Sequence, residues 1–186
     1  MTYPLRTIQE DGDAVVILDQ TRLPRETAFV VLRGLADAAH AIRSMQVRGA
    51  PLIGATAAYG VALALQEGQT LEHAIATLAA TRPTAINLNW ALKRMRGALE
   101  NLAPATRRDS AWNEARAIAR EDEAANAAIG RHGLPLIAAI AKNKGHPPSP
   151  LPEEGGDHAR QASPVRSVRD GAVNIMTHCN AGWLAT

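Results

Sequence analysis

Val47-Arg48-Gly49-Ala50-Pro51-Leu52-Ile53-Gly54-Ala55-Thr56-Ala57-Ala58-Tyr59-Gly60 is the stretch on which the fold turns. Pro51 suits the first turn of a helix, where its missing N–H costs nothing. The helix is expected to run through Leu52, Ile53 and Ala57 to about Gln66, with Gly68 ending it. A helix N-terminus offers unsatisfied N–H groups and the positive end of a dipole, which together favour an anion. Gly49 allows close backbone approach, and Arg48 adds a guanidinium that can grip a phosphate bidentately. Spacing alone fits an ordinary helix start with a solvent-facing arginine at least as well, since a single Arg-Gly before a helix is common.

Upstream, residues 5–9 and 14–19 flank Asp11-Gly12-Asp13, and the second run contains Val15-Val16-Ile17-Leu18. An Asp-Gly pair between short Ile-, Val- and Leu-rich runs predicts a hairpin. Pro24 punctuates, and Thr27 to Leu32 supply a third short strand. The period then changes: Leu32, Leu35, Ala36, Ala39 and Ile42 share one helical face. Downstream, Thr70 caps a third helix reaching about Ala80, with Glu72 and His73 in its first turn. Thr84 caps a fourth that carries Leu88, Trp90, Leu92 and Met95. A longer helical region covers about 108–141, weakened by Gly130, Gly133 and Pro135. The expected fold class over residues 1–141 is α+β: short antiparallel strands followed by a helical bundle.

Composition shifts at residue 142. Residues 142–171 hold five of the eleven prolines, together with Gly145, Gly155 and Gly156, and predict a disordered linker or insertion. Ala172 to Thr177 then form a short apolar run with the pattern of a buried strand. His178-Cys179-Asn180-Ala181-Gly182 turns out of it, and Trp183 to Thr186 start a helix. A lone strand has no sheet to pair with. The ending is therefore expected to be a truncation.

Bulk composition narrows the function classes. Hydrophobic residues make up 46% of the 186 and aromatics only 3%, so the core must come from Ala, Leu, Ile and Val, which favours close-packed helices. The 20 basic and 18 acidic residues are interspersed at a net charge of +2, which provides no basic stripe for nucleic acid. One Phe and two Tyr do not make a base-stacking platform. The single Cys179 excludes an internal disulfide and any multi-cysteine metal site. Met1 to Asp13 lack the apolar core of a signal peptide, and no stretch reaches the roughly 18 apolar residues of a membrane span. A soluble, cytoplasmic protein is the expectation.

Two further segments carry candidate chemistry. In Thr81-Arg82-Pro83-Thr84-Ala85-Ile86-Asn87 an arginine is held by the following proline just before a helix. Alone it is more often structural, although two arginines at neighbouring helix mouths strengthen a phosphate site. In Thr177-His178-Cys179-Asn180-Ala181-Gly182 a cysteine ends a strand where open α/β sheets place ligands. Helix amides and an imidazole can depress its thiol pKa, yet a lone cysteine is usually a small buried residue. A metal has weak support, because His178 and Cys179 lack spaced partner ligands. His40, His73, His132, His146 and His158 are scattered.

Residues 47–60 closely resemble the signature block of the methylthioribose-1-phosphate isomerases. Residues 81–92, Thr81-Arg82-Pro83-Thr84-Ala85-Ile86-Asn87-Leu88-Asn89-Trp90-Ala91-Leu92, are similar to a second block of that family, and residues 174–186 look like the third, around its catalytic cysteine. The resemblance covers 1–141 and 172–186, whereas 142–171 depart from the family's much shorter connection.

The resemblance implies a small strand-plus-helix N-terminal domain followed by a Rossmann-like α/β C-terminal domain, mostly missing here. It implies conversion of 5-methylthioribose 1-phosphate to 5-methylthioribulose 1-phosphate in methionine salvage, by a homodimer when complete, with no metal or cofactor. Arg48, Gly49, Ala50 and Arg82 match substrate-binding positions, and Cys179 matches the catalytic cysteine. The family's catalytic aspartate, a substrate-binding glutamine and an Asn-Lys pair have no counterpart, so this chain is expected to be inactive alone. Two alternatives share the fold. One is ribose-1,5-bisphosphate isomerase; the other is a non-catalytic regulatory subunit of the translation initiation exchange factor. Cys179-Asn180 argues for the enzyme branch.

Overall fold

The computed structural model describes residues 6–142 and 174–177. Three strands, β1 (Ile8–Asp11), β2 (Ala14–Leu18) and β3 (Phe29–Leu32), form an antiparallel sheet in that order. Asp11 pairs with Ala14 across a two-residue turn, where Gly12 takes a φ of 61°. A pairing that tight draws the first strand toward the turn, to 8–11 rather than the 5–9 of the sequence pattern. β2 is central and buried along its whole length, with Val16 opposite Val31 and Leu18 opposite Phe29.

Five helices follow: α1 (Leu35–Arg43), α2 (Ala50–Gln66), α3 (Leu71–Ala79), α4 (Ile86–Leu99) and α5 (Pro104–Lys142). The strands-then-helices order is the α+β arrangement expected from the sequence. Thr70 caps α3 as its sequence position suggests, its side chain accepting from the His73 N–H at 3.2 Å. Thr84 does not cap α4. The N-cap there is Ala85, in extended conformation, and the amide of Asn89 reaches back to the Pro83 and Ala85 carbonyls, each at 3.2 Å. On α1 the buried face is Leu35, Ala38, Ala39, Ala41 and Ile42. Leu32 belongs to β3 and Ala36 is exposed, because the helix starts only after Gly34.

That start is capped from a distance. The Leu35 N–H donates to Glu67 at the end of α2, at 3.1 Å. A Cβ on Gly34 would lie 1.9 Å from that carboxylate, so the contact needs glycine. α2 is buried on every side from Leu52 to Ala64 and touches α1, α3 and α4, the behaviour of a central core helix. Small residues let its neighbours close in. A Cβ on Gly60 would stand 2.9 Å from that of Ala38, and one on Gly54 would stand 3.1 Å from the Asn87 carbonyl. The core is built almost entirely of aliphatic residues, as the shortage of aromatics requires.

The described residues fall into two units that part between Asn126 and Ala127. In the first, α5 contributes Ala111, Trp112, Ala115 and Ile118 to the core. In the second, helix continues through Gly130, Gly133 and Pro135 and exposes Ile129, Leu134, Leu136 and Ile140. Residues 174–177 carry no strand and are exposed, Ile175 and Met176 included, against the buried strand expected there. A strand satisfies its backbone only beside another strand, and among the described residues none pairs with this one. The Pro/Gly-rich stretch from 143 and the turn bearing His178 and Cys179 lie outside the described residues.

Candidate functional site

Gly49 is the N-cap of α2, at φ 92° and ψ 137°, a conformation open to glycine and strained for L side chains. It lets the chain turn from buried Val47 into the helix, leaving Arg48 and Ala50 exposed on either side. Pro51 follows in the first turn, and the first return bond runs from the Ile53 N–H to the Gly49 carbonyl at 3.1 Å. The earlier amides are those that a helix cannot satisfy itself.

Arg82 sits half-buried just after α3, at the corner of a turn closed by the Ala85 N–H on its carbonyl at 3.0 Å. The turn delivers the chain into α4. Since the Asn87 carbonyl, in the first turn of α4, approaches Gly54 of α2, the two helices start side by side. The predicted arginines therefore precede two adjacent helix mouths.

Both mouths open on one cleft of about 370 Å³. Pro51 of α2 and Ile86, Asn87 and Trp90 of α4 line it, facing Ile118, Glu121, Asp122 and Ala125 of α5. The sequence pattern groups Trp90 with the apolar residues of α4, but the side chain stands half-exposed. Leu88, Leu92, Met95 and Leu99 mark the buried stripe, and Trp90 lies about 200° round the helix from Leu88.

Ion pairs fix the α5 side of the cleft. Arg94 donates to Glu114 at 2.6 Å and bidentately to Glu121, with one bond at 2.8 Å, while its guanidinium lies 5.6 Å from the Trp90 ring centre. Hydrogen bonds from Arg94 hold the Glu121 carboxyl below its ordinary pKa, and the bonds to Glu121 and Glu114 raise that of Arg94. Asp122 accepts from Asn126 at 3.0 Å. A second cluster ties β1 to α2 and α5. Glu10 accepts from the Tyr59 hydroxyl at 3.0 Å and from Arg116 Nε at 2.9 Å. Burial first, then the charge of Glu10 and its hydrogen bond, push the Tyr59 hydroxyl well above its ordinary pKa.

Arg48, Gly49 and Ala50 lead into α2 and Arg82 precedes α4, next to the first-turn residues Pro51, Ile86 and Asn87 that line the cleft, while Cys179 lies outside the described residues. Sequence reasoning did not pick out Glu121, Asp122 and Ile118. They lie well over a helix-length away in the chain, and only the packing of α5 brings them to the cleft. Among the described residues, no three His, Cys, Asp or Glu side chains converge as a metal-holding group, and no helix is long and apolar enough to cross a membrane.

Comparison with known proteins places the chain in a family. A model of the initiation factor 2 subunit family matches residues 46–186. The methylthioribose-1-phosphate isomerase of Dechloromonas aromatica (strain RCB) is 51% identical over 189 residues, covering 98% of this chain and 45% of that protein. The crystal structure of 5-methylthioribose 1-phosphate isomerase from Pyrococcus horikoshii OT3 superposes with a TM-score of 0.64 at 35% identity, over 69% of this chain and 39% of that one. The delta subunit of translation initiation factor eIF-2B from A. fulgidus gives 0.59 at 36% identity, over 64% and 38%. The chain spans less than half the length of the isomerase just named. With three strands and a helical bundle arranged as in both solved structures, this chain belongs to the initiation factor 2 subunit family.

Proposed function

We propose that this chain forms the N-terminal part of an aldose–ketose isomerase that converts 5-methylthioribose 1-phosphate to 5-methylthioribulose 1-phosphate. The observation that carries the reading is the adjacency of the α2 and α4 mouths, each preceded by an arginine, on one cleft. Helix amides at Gly49 and Ala50, with the guanidinium groups of Arg48 and Arg82, are suited to a sugar's phosphate. The names of similar proteins supply the substrate class, and the isomerase is the reading favoured over an initiation-factor subunit by the 51% identity.

The phosphate sits on the anomeric oxygen, so the ring must open without the free aldehyde used by ordinary aldose isomerases. Hydrogen then moves between C2 and C1, as a proton through an enediolate-like species or as a hydride. Held charges act most strongly where water is excluded. Cys179 is the acid–base group assigned from the family resemblance, working with an aspartate beyond this chain. The same resemblance supports a Rossmann-like second domain, a homodimer, a cytoplasmic location and a place in methionine salvage.

Titration of the chain with 5-methylthioribose 1-phosphate, followed by phosphorus NMR, tests the phosphate site. Saturable binding is expected, weakened at least about tenfold by Arg48→Ala or by Arg82→Ala, as fits loss of a charge-assisted bond. Unchanged affinity in both variants would sink the assignment. In a protein completed by the downstream reading frame, Cys179→Ser should abolish turnover while retaining binding.

A further inference from the structure

Residues Ser44 to Gly49 join α1 to α2, and the last two, Arg48 and Gly49, belong to the group assigned to the phosphate. Met45 stands in this connection at φ 63°, a conformation that a residue with a side chain keeps only where surrounding contacts over-determine it. Those contacts come from the residues that follow β2. The Gln46 carbonyl accepts from the Gln20 N–H at 2.9 Å, and the Gln46 side-chain Nε2 donates to Asp19 Oδ2 at 3.3 Å. Val47 comes next, fully buried, its N–H donating to the Ala41 carbonyl at 3.3 Å. Arg48 is the next residue and is exposed. Asp19 is itself buried, and its Oδ1 accepts from the Thr21 N–H at 3.0 Å and from the Thr21 hydroxyl at 2.6 Å, which leaves Oδ2 for Gln46. A carboxylate is costly to bury unless donors meet it, and here they hold it in one orientation.

Resting on the sugar-phosphate reading above, we propose that Asp19 is a positioning residue for the phosphate site: with the Gln20 N–H it clamps Gln46, and so presets Arg48 and the Gly49 turn. Two residues of chain span at most about 7 Å, so a fixed Gln46 confines the Arg48 backbone to a small region. The clamp is anchored to the sheet, because the Asp19 N–H donates to the Ala28 carbonyl at 2.9 Å and continues the pairing of β2 with β3. A mobile connection would lose affinity to its own ordering when a ligand arrives, and a preset one avoids that loss. Neither Asp19 nor Gln46 needs to touch the sugar phosphate.

Calorimetric titration of the 186-residue chain with 5-methylthioribose 1-phosphate tests this. Gln46→Met keeps the length of a half-buried side chain and deletes its donor, and should weaken binding about three- to tenfold, the worth of a hydrogen bond. In an Arg48→Ala background the same change should weaken binding no further, because the clamp acts through Arg48. Asp19→Ala should behave as Gln46→Met does. Asp19→Asn should retain most of the affinity, since it keeps an acceptor for Thr21 and can donate to the Gln46 amide once that amide turns over. Tyr59→Phe, which removes a hydrogen bond elsewhere on α2, serves as a control for lost stability and should leave affinity unchanged. A readout without ligand is ¹⁵N relaxation, in which Gln46→Met should lower the order of the Arg48 and Gly49 amides and leave the middle of α2 as it was. Equal weakening by Gln46→Met with and without Arg48, or amide order unchanged at 48 and 49, would overturn the positioning role. Weakening by Arg48→Ala with none by Gln46→Met would overturn it too and leave the phosphate site standing. Failure of the sugar phosphate to bind the wild-type chain would overturn both.

Discussion

Gly49 and Tyr59 show how single residues link the fold to the site. At φ 92° and ψ 137°, Gly49 occupies backbone space that an alanine enters only under strain. Gly49→Ala should cost roughly 1–3 kcal/mol of stability in urea unfolding, and it should also displace the Arg48 and Ala50 groups assigned to the phosphate. Tyr59 offers a pH test. Its folded-state pKa is raised above the ordinary 10.0, chiefly by burial and then by Glu10. The stability this gives is fully present below pH 10.0, the value in the unfolded chain, and is lost as pH rises above it, because the unfolded tyrosine releases its proton first. Tyr59→Phe should therefore flatten the decline in unfolding free energy between about pH 9.5 and 11.5, relative to wild type, in denaturant melts along a pH series. At neutral pH the same variant should lose only about 1 kcal/mol, since Glu10 keeps its bonds to Arg116. The importance of Gly49 was visible in its place before Pro51. The Tyr59–Glu10 bond was not, because its partners stand 49 positions apart.

Glycines distinguish buried from open faces at the scale of helices. In α2, a Cβ at Gly60 would meet Ala38 at 2.9 Å and Leu78 at 3.2 Å, so three helices converge on the absence of a side chain. Gly97 in α4 has nothing within 4 Å. Alanine gains about 1 kcal/mol of helix propensity over glycine at either position, but overpacking typically costs about 1–3 kcal/mol. Gly97→Ala should thus raise the melting temperature, and Gly60→Ala should lower it. Opposite signs from one chemical change would show that contact geometry, not propensity, decides; matching signs would refute the tight α1–α2–α3 junction. Element types were largely legible beforehand. The Asp-Gly turn, Pro51 and Thr70 each act through one or two neighbouring residues, and local chemistry of that kind is readable. The start of α4 was not read correctly. Thr84 has the right chemistry for a cap, but the Arg82–Ala85 turn carries the chain one residue further before the helix begins.

Across the whole molecule, the buried apolar core runs from Ile8 to Ile118 and lies within the first of the two units. A chain ending at Asn126 should therefore fold by itself, with a cooperative melt within a few degrees of that of the 186-residue chain, as differential scanning calorimetry would show. A broad transition, or loss of helical circular dichroism, would mean that the later residues contribute to the core. By itself the sequence settled the order of strands and helices, the aliphatic character of the core and the two arginines before helix starts, because each depends on composition or on neighbours a few residues apart. Only the tertiary structure decided that both helix starts open on one cleft, that Glu121 and Asp122 of α5 face Trp90 across it, and that Glu10 reaches Tyr59 and Arg116. Those contacts depend on how closely helices approach, which is set by missing side chains such as those of Gly54 and Gly60 acting on partners distant along the chain.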